Sequence, residues 1–508
     1  MPEQNELATD KRNWLWTLFF VLFAASFASV LLIVLFAKFP LVAAIAIMAL
    51  AVFAWRLLGR LELSARAGYR VLFLFIVAAA ALQLLIGYRL RFTPMWDFDA
   101  IFNGGAIWAE TGSLYAESYY HGNYAEYFAM FQNQYGGLFV FRFIFGICRL
   151  FGSNHYDTAA LVYNVAMIQV MVFAVYYAAV RLRGVRGGVF SLFLMGVFPP
   201  FYIMGAVYYT DALSMPFAAA TFALYLRARG EANLKKKVLL FSLCGLAAAF
   251  GAAVKFTVMI VLIAVVIECF LEKGMPIAKR AACVAAAGLT AILCISGLNA
   301  YIDSKLAPEL IDQRRIPKTH WIMMGLQGDG TYNPGDYAFT MSIPDLKTRS
   351  EETARVAWER AGELGAGGLL SLFCKKIAVN FGDGTFNMAM FLDDGPVHQS
   401  SLHEVVLSGG KYFDIYAHIS TGYICAVFAA MLYGTVKIIR KRQLDEYVTF
   451  SVVPFLSLFG LLLFSLIWES ASKMPFCFFP ILVIGAVACP PASRFRFSSR
   501  ACRESIYS

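Results

Sequence analysis

Asp97 and Asp99 stand one residue apart in "TPMWDFDAIFNGGAIWAETG", residues 93–112, directly after a long apolar run. Three further stretches set charged groups beside apolar runs: Asp211 in "YYTDALS", Lys255 in "AAVKFT", and Glu469 with Lys473 in "WESASKMP". Ionisable side chains at membrane depth are costly and are usually paired or functional. A carboxylate at the lip of a membrane cavity can act as general base toward a hydroxyl within hydrogen-bond reach. Lys or Arg at the same level can hold a phosphate and neutralise charge building on a leaving group. Base plus phosphate clamp is the equipment for group transfer from a lipid-linked phosphate.

Each residue also has a structural reading. Asp97 and Asp99 could serve as an N-cap or Asx-turn, and Asp211 could cap the helix after it. Lys255 and Lys473 could snorkel to the interface instead of binding phosphate, and the same choice applies to Arg89 and Arg91. His320, in "KTHWIMMG", adjoins Trp321 and is either a substrate contact or a packed structural histidine. Asn133 and Gln134 could bind sugar hydroxyls or cap the helix that follows them. The Phe-rich faces read as lipid-facing or packing surface.

The elements that must position these groups are membrane helices. Of 508 residues, 60% are hydrophobic, 16% aromatic and only 15% charged, against about 25% charged in a soluble domain. The chain reads as an all-α polytopic membrane protein. A bilayer core takes roughly 20 apolar residues to cross, and about twelve such spans follow from the apolar runs. They cover residues 14–37, 41–57, 71–88, 158–180, 189–207, 212–226, 238–254, 257–271, 281–300, 414–436, 448–466 and 474–489. The first run carries "AASFAS", which resembles a cleavage site, but its apolar stretch outlasts a signal-peptide core and reads as an uncleaved anchor.

The Lys and Arg residues orient the spans. With Lys11 and Arg12 cytoplasmic, the same side collects the basic groups at 56–70, 181–186, 227–237, 273–280 and 437–442, and the tail at 494–503. The net charge of +10 is therefore a topology signal, and it argues against nucleic-acid binding because the charges lie in short loops between spans. The run "YGGLFVFRFIFGICRLF" at 135–151 would invert every later loop if it crossed, so it reads as an interfacial helix, with Arg142 and Arg149 reaching water. The ten cysteines include no CxxC and mostly fall inside spans, pointing to neither a metal site nor a disulfide framework.

This orientation leaves two outer segments, about 89–157 and 301–413. Five regions result: a hairpin and basic loop (1–70), a transmembrane core (71–300) carrying the first outer loop (89–157), an extracytoplasmic region (301–413), C-terminal spans (414–490) and a basic tail (491–508). In the second outer segment, "GDGTYNPGD", "FGDGTF" and "LDDGP" are turn signals. "SEETARVAWERAGEL", from Ser350, reads as a helix start. "GGLLSLFCKKIAVNF", with Lys375 and Lys376, reads as a second helix on the membrane surface. A Walker loop, a GxSxG elbow and an HExxH are absent, and "DGTYNPGD" lacks EF-hand spacing. Asp97, Asp99, Asp211, Lys255, Glu469 and Lys473 all receive the same outer address.

In order along the chain, "PMWDFDAIFNGGAIWAETG", "YFAMFQNQYGGLFVFRFIFGICRLFG", "YYTDALSMPFAAATFALYLRA", "AAVKFT" and "WESASKMPFCFFPIL" resemble successive landmarks of bacterial GT-C glycosyltransferases. That superfamily includes protein O-mannosyltransferases and aminoarabinose transferases, and the resemblance covers most of residues 70–490. "THWIMMGLQGDGTYNPGDYAF" and "KKIAVNFGDGTF" are similar to the outer loop of uncharacterised Gram-positive members. The resemblance implies a polyprenyl-monophosphate sugar as donor, and a glycan, lipid or protein acceptor. It implies a bacterial cytoplasmic membrane with the active site on the extracytoplasmic face. Asp97 matches the family's acidic position and would be the base, with Asp99 its helper or a loop-structuring residue. Glu469 and Lys473 stand where relatives carry Glu followed by Arg-Tyr. Here the pair is Lys473-Met474, a departure that bears on phosphate binding. Some members use a divalent cation and others do not, and an Asp-x-Asp pair alone does not decide. The competing readings are a transporter or flippase of lipid-linked sugars, against which no repeat of the two halves is evident, and a glycan polymerase or ligase using diphosphate-linked donors.

Overall fold

The computed structural model describes residues 2–118, 120, 122–271, 275–393, 395–441 and 446–489. Lys273, Arg442 and the expected basic tail lie outside the described residues, as do the side chains of Lys11 and Arg12.

Most expected spans fall on a helix or on one limb of a broken helix, but the one at 189–207 outruns its helix, which ends at Gly196 and is followed by a turn, the short helix Pro200–Ile203 and a non-helical stretch to 207. Trp14–Lys38, Leu41–Leu58, Ala65–Arg89, Leu234–Val254, Ile277–Asp303 and Phe413–Arg440 are long and apolar enough to cross a bilayer. Phe256–Leu271, Ser451–Ile467 and Phe476–Ala488 are shorter apolar helices. The expected span at 158–180 and the first part of the one at 189–207 are joined in one 41-residue helix, Tyr156–Gly196, which breaks at Arg183 (φ −139°) and Gly184 (φ 67°). A left-handed φ suits glycine, which has no Cβ to clash, so Gly184 is where the helix breaks. The break is tied down by Arg183, which donates to the Ala488 carbonyl at 2.6 Å, and by Arg186, which donates to the Trp55 carbonyl and lies over its ring.

Thr210–Arg229 carries Asp211 in its first turn and Arg227 and Arg229 in its last. At 1.5 Å per residue, roughly 27 Å separates the acid end from the basic end. Both charge signs match the helix dipole. The arginine end is built inward: Glu268 accepts from Tyr225 and lies 3.6 Å from Arg229.

The segment 135–151 is a 16-residue helix, Tyr135–Leu150, with Gly137, Leu138, Phe141, Ile144 and Phe145 buried. It packs along Trp96–Thr111, where Arg142 lies over the Trp108 ring at 4.5 Å and Arg149 donates to the Ala109 carbonyl at 2.6 Å. Both arginines are thus engaged by the neighbouring helix.

In the second outer segment the long helix starts at Leu346, four residues before the expected Ser350. The reason is a cap: the Asp345 carboxylate accepts from the Thr348 N–H at 2.9 Å. The helix runs to Phe381 and breaks at Gly365 (φ 57°). As a whole it is long and apolar enough to count as a candidate span, but the limb after the break, 366–381, rises only about 24 Å. The short helices before it are gathered by the fully buried Arg349. Its guanidinium donates to the carbonyls of Thr340 (3.1 Å), Ile343 (2.6 Å), Gln313 (2.7 Å) and Arg315 (2.8 Å). Buried charge is tolerated when its donors are satisfied this fully.

Candidate functional site

Asp97, Asp211, Lys255, Glu469 and Lys473 lie at one end of the bundle, each at a helix terminus or in the turn beside one. Trp96–Thr111 begins without a side-chain cap, so Asp97 is not used as one. Its residue Trp96 has φ 54°, a costly conformation for a bulky side chain and one that concentrates at functional sites. Asp97 is half-buried, and its Oδ1 accepts the Tyr127 hydroxyl at 2.8 Å.

Asp211 is likewise not a cap. Its buried carboxylate meets the Lys255 ammonium at 2.8 Å. Lys255 sits just past the last turn of Leu234–Val254 with extended backbone (φ −145°, ψ 107°), and that kink aims the side chain back toward Asp211. Burial alone would depress the Lys255 ammonium, but Asp211 and its hydrogen bond more than offset this and hold it above the usual lysine range.

Glu469 and Lys473 come from the turn between Ser451–Ile467 and Phe476–Ala488. Lys473 Nζ lies 5.1 Å from the Tyr209 ring centroid and 5.3 Å from that of Phe391. Among the described residues no carboxylate is within ion-pair distance of it. Burial lowers its pKa, opposed by Asp211 and Asp97. Burial also pushes Glu469 up to about 7, while Lys473 and Lys255 pull the other way. These mutual effects put Asp97, Asp211, Lys255, Glu469 and Lys473 in one electrostatic neighbourhood.

Other candidates are placed elsewhere. Asp99 is buried and accepts from Asn103 at 2.6 Å, with Tyr124 close by. Residues two apart on a helix do not share a face, so Asp97 and Asp99 diverge rather than act as a pair. Arg91 is committed to Thr158 at 2.7 Å and to the Tyr88 ring at 4.6 Å, and Arg89 is exposed at the end of its helix. Asn133 is exposed, whereas Gln134 is buried and donates to the Tyr209 hydroxyl at 3.1 Å. His320 is fully buried against Trp321 and bonds Thr340 at 2.7 Å; burial pulls its pKa down to about 4, so it is neutral near pH 7. It is a packing residue of the outer segment. Among the described residues, no three His, Cys, Asp or Glu side chains are grouped to hold a metal ion.

Sequence reasoning passed over Lys376. It is fully buried and donates to the carbonyls of Gly325 (2.9 Å) and Trp468 (2.7 Å), pinning the outer segment to the turn that carries Glu469. The Ser470 N–H donates to the Gly330 carbonyl at 2.6 Å beside it. Gly330 (φ 81°) cannot be replaced simply, since a Cβ would lie 2.9 Å from the Lys376 side chain. A lysine inside the apolar run "SLFCKKIAVNF" was the available signal. Tyr332, 57% exposed, stands over the site within reach of the Asp97 and Glu469 charges. Nothing in its local sequence marks it.

A bundle of apolar helices with a cluster of acidic and basic groups at its end defines a polytopic membrane protein with a charged site. The chain belongs to the family described as "Conserved hypothetical integral membrane protein", whose model matches residues 13–493. No curated protein matches the sequence. Among solved structures it is similar to the archaeal oligosaccharyltransferase AglB from Archaeoglobus fulgidus, in complex with an inhibitory peptide and a dolichol-phosphate. The identity is 10% and the TM-score 0.40 over 85% of this chain; the match takes in 53% of AglB, so the chain spans about half the length of that protein. It is also similar to ArnT from Cupriavidus metallidurans bound to undecaprenyl phosphate, at 13% identity and a TM-score of 0.36, covering 82% of this chain and 77% of ArnT. The apo form of ArnT matches at 12% identity and a TM-score of 0.35, covering 84% and 78%. AglB and ArnT are both GT-C proteins.

Proposed function

We propose that the protein is an inverting glycosyltransferase of the extracytoplasmic face of a bacterial cytoplasmic membrane, moving one sugar from a polyprenyl monophosphate to an acceptor hydroxyl. One observation carries this reading: a half-exposed carboxylate, Asp97, lies in one charged cluster with two lysines, of which Lys473 has no carboxylate at ion-pair distance among the described residues. In the reaction, the bond from the anomeric carbon to the phosphate oxygen breaks and the acceptor oxygen bonds that carbon. The acceptor proton goes to Asp97, and the electron pair leaves with the polyprenyl phosphate. Lys473 and Lys255 stabilise the charge on that phosphate. Asp211 keeps Lys255 in position. The acceptor is a glycan, a lipid or a protein.

Radiolabel distinguishes transfer from transport. Incubating a sugar-labelled polyprenyl phosphate with the purified protein in vesicles is expected to give a new covalent product and free polyprenyl phosphate. Label moved across the vesicle unchanged would establish a transporter instead.

Glu469 makes the pocket responsive to pH. Below about pH 7 its carboxyl is protonated and the two lysines balance Asp97 and Asp211; above it, the ionised group adds a negative charge that opposes the lipid phosphate. Affinity for undecaprenyl monophosphate is expected to fall roughly tenfold as Glu469 ionises. Glu469→Gln removes that step while keeping the tight affinity of the low-pH form. A binding titration repeated across pH measures both, and an unchanged step in the variant assigns the pH dependence to another group.

A further inference from the structure

We infer that Tyr127 is a positioning residue for Asp97, held in register by Gln134 and Tyr209; this rests on the reading of Asp97 as the base. Tyr127 is fully buried, with its ring against Phe128 (5.1 Å between centroids) and Phe131 (4.9 Å). Its hydroxyl ends on Asp97 Oδ1 at 2.8 Å. Behind it, the buried Gln134 side chain lies close to the same hydroxyl and donates to the Tyr209 hydroxyl at 3.1 Å. The Tyr209 ring in turn lies beside the Lys473 ammonium. A line of neighbouring side chains, from four separate parts of the sequence, therefore runs from the base to the lysine assigned to the leaving group.

An aspartate carboxylate turns about two bonds, and a half-buried one has room to do so. A base works only when one oxygen meets the acceptor proton at hydrogen-bond distance. By engaging Oδ1 from the buried side, Tyr127 leaves Oδ2 for the acceptor, since no described residue donates to it. The tyrosine itself is held by its packing and by Gln134, so the orientation is built into the fold before substrate arrives. Such prepositioning acts on the chemical step, because misplacement by about 1 Å costs on the order of a hundredfold in rate.

The test uses the full-length protein and Tyr127→Phe, which keeps the ring and removes only the hydroxyl. The infrared carboxylate stretch of Asp97, assigned as the band lost in Asp97→Asn, is expected to shift in Tyr127→Phe. The maximal transfer rate is expected to fall roughly ten- to a hundredfold, with affinity for undecaprenyl monophosphate within about twofold of the parent. Gln134→Leu, which loosens the tyrosine without removing it, is expected to shift the band in the same direction by less. An unmoved band in Tyr127→Phe, or a rate loss matched by an equal loss of lipid-phosphate affinity, overturns the inference. If Asp97→Asn transfers sugar normally, the reading of the base fails, whatever the band does.

Discussion

Asp97→Asn is expected to lose sugar transfer by a factor of about 10² to 10⁴, the range that a positioned general base supplies. The substitution is close to isosteric. Its side-chain oxygen still accepts the Tyr127 hydroxyl, which now lies 2.8 Å from Oδ1, so the network behind the site survives. What disappears is the basicity. An amide cannot take the acceptor proton, and the hydroxyl would have to attack the anomeric carbon without help. Lipid-phosphate affinity, which the proposed mechanism assigns to Lys473 and Lys255, is expected to persist, so the loss appears in the maximal rate and not in binding. The measurement is single-turnover transfer alongside an undecaprenyl monophosphate titration. Undiminished transfer with normal membrane insertion would sink the assignment of the base.

The second large effect concerns the Asp211–Lys255 pair, whose side chains are 1% and 16% exposed. Breaking a buried pair by removing one partner costs about 3 to 5 kcal/mol, because the other charge is left uncompensated. Asp211→Asn and Lys255→Met are each expected to lose that much stability. The double variant, with no charge left over, is expected to recover most of it. Activity separates the two roles: the double variant folds but still lacks one of the lysines proposed to hold the leaving phosphate, so its transfer stays low. Thermal unfolding in detergent for the four proteins of this cycle, with transfer assayed in each, measures both. Stability losses that simply add would mean the two groups do not interact.

Much of the scaffold was legible because it rests on local chemistry. A run of apolar residues long enough to cross a bilayer forms a helix wherever it stands, since its backbone must be satisfied internally. Arg183 and Gly184 end one limb and begin the next for reasons visible in a few residues. The short polar stretches carrying Asp97, Asp211, Lys255, Glu469 and Lys473 could be assigned to one end of the bundle from the basic loops at the other. Even the misplaced helix start near Ser350 failed only through an unread local competitor, the Asp345 cap.

Which of the side chains at that end face one another is a different matter. Asp99 looked like a partner for Asp97, yet helical phase turns it toward Asn103. Arg91 looked available for a phosphate, and Thr158, from a helix far along the chain, takes it. His320 stood open between a substrate contact and a packed histidine, and it is buried against Thr340. Tyr127, which nothing in the local pattern marks, and Lys376, marked only by its place in an apolar run, bind the site together.

By itself, the sequence determined the helices, their order and the end of the bundle where charge collects, because these follow from hydropathy and backbone hydrogen bonding within each segment. Only the tertiary structure decided the pairings: Asp211 with Lys255, Tyr127 with Asp97, and Lys376 with the carbonyls beside Glu469. Each pairing joins groups that lie tens of residues apart or more, and packing between helices, set by the whole bundle, selects one partner from several of the same chemical type.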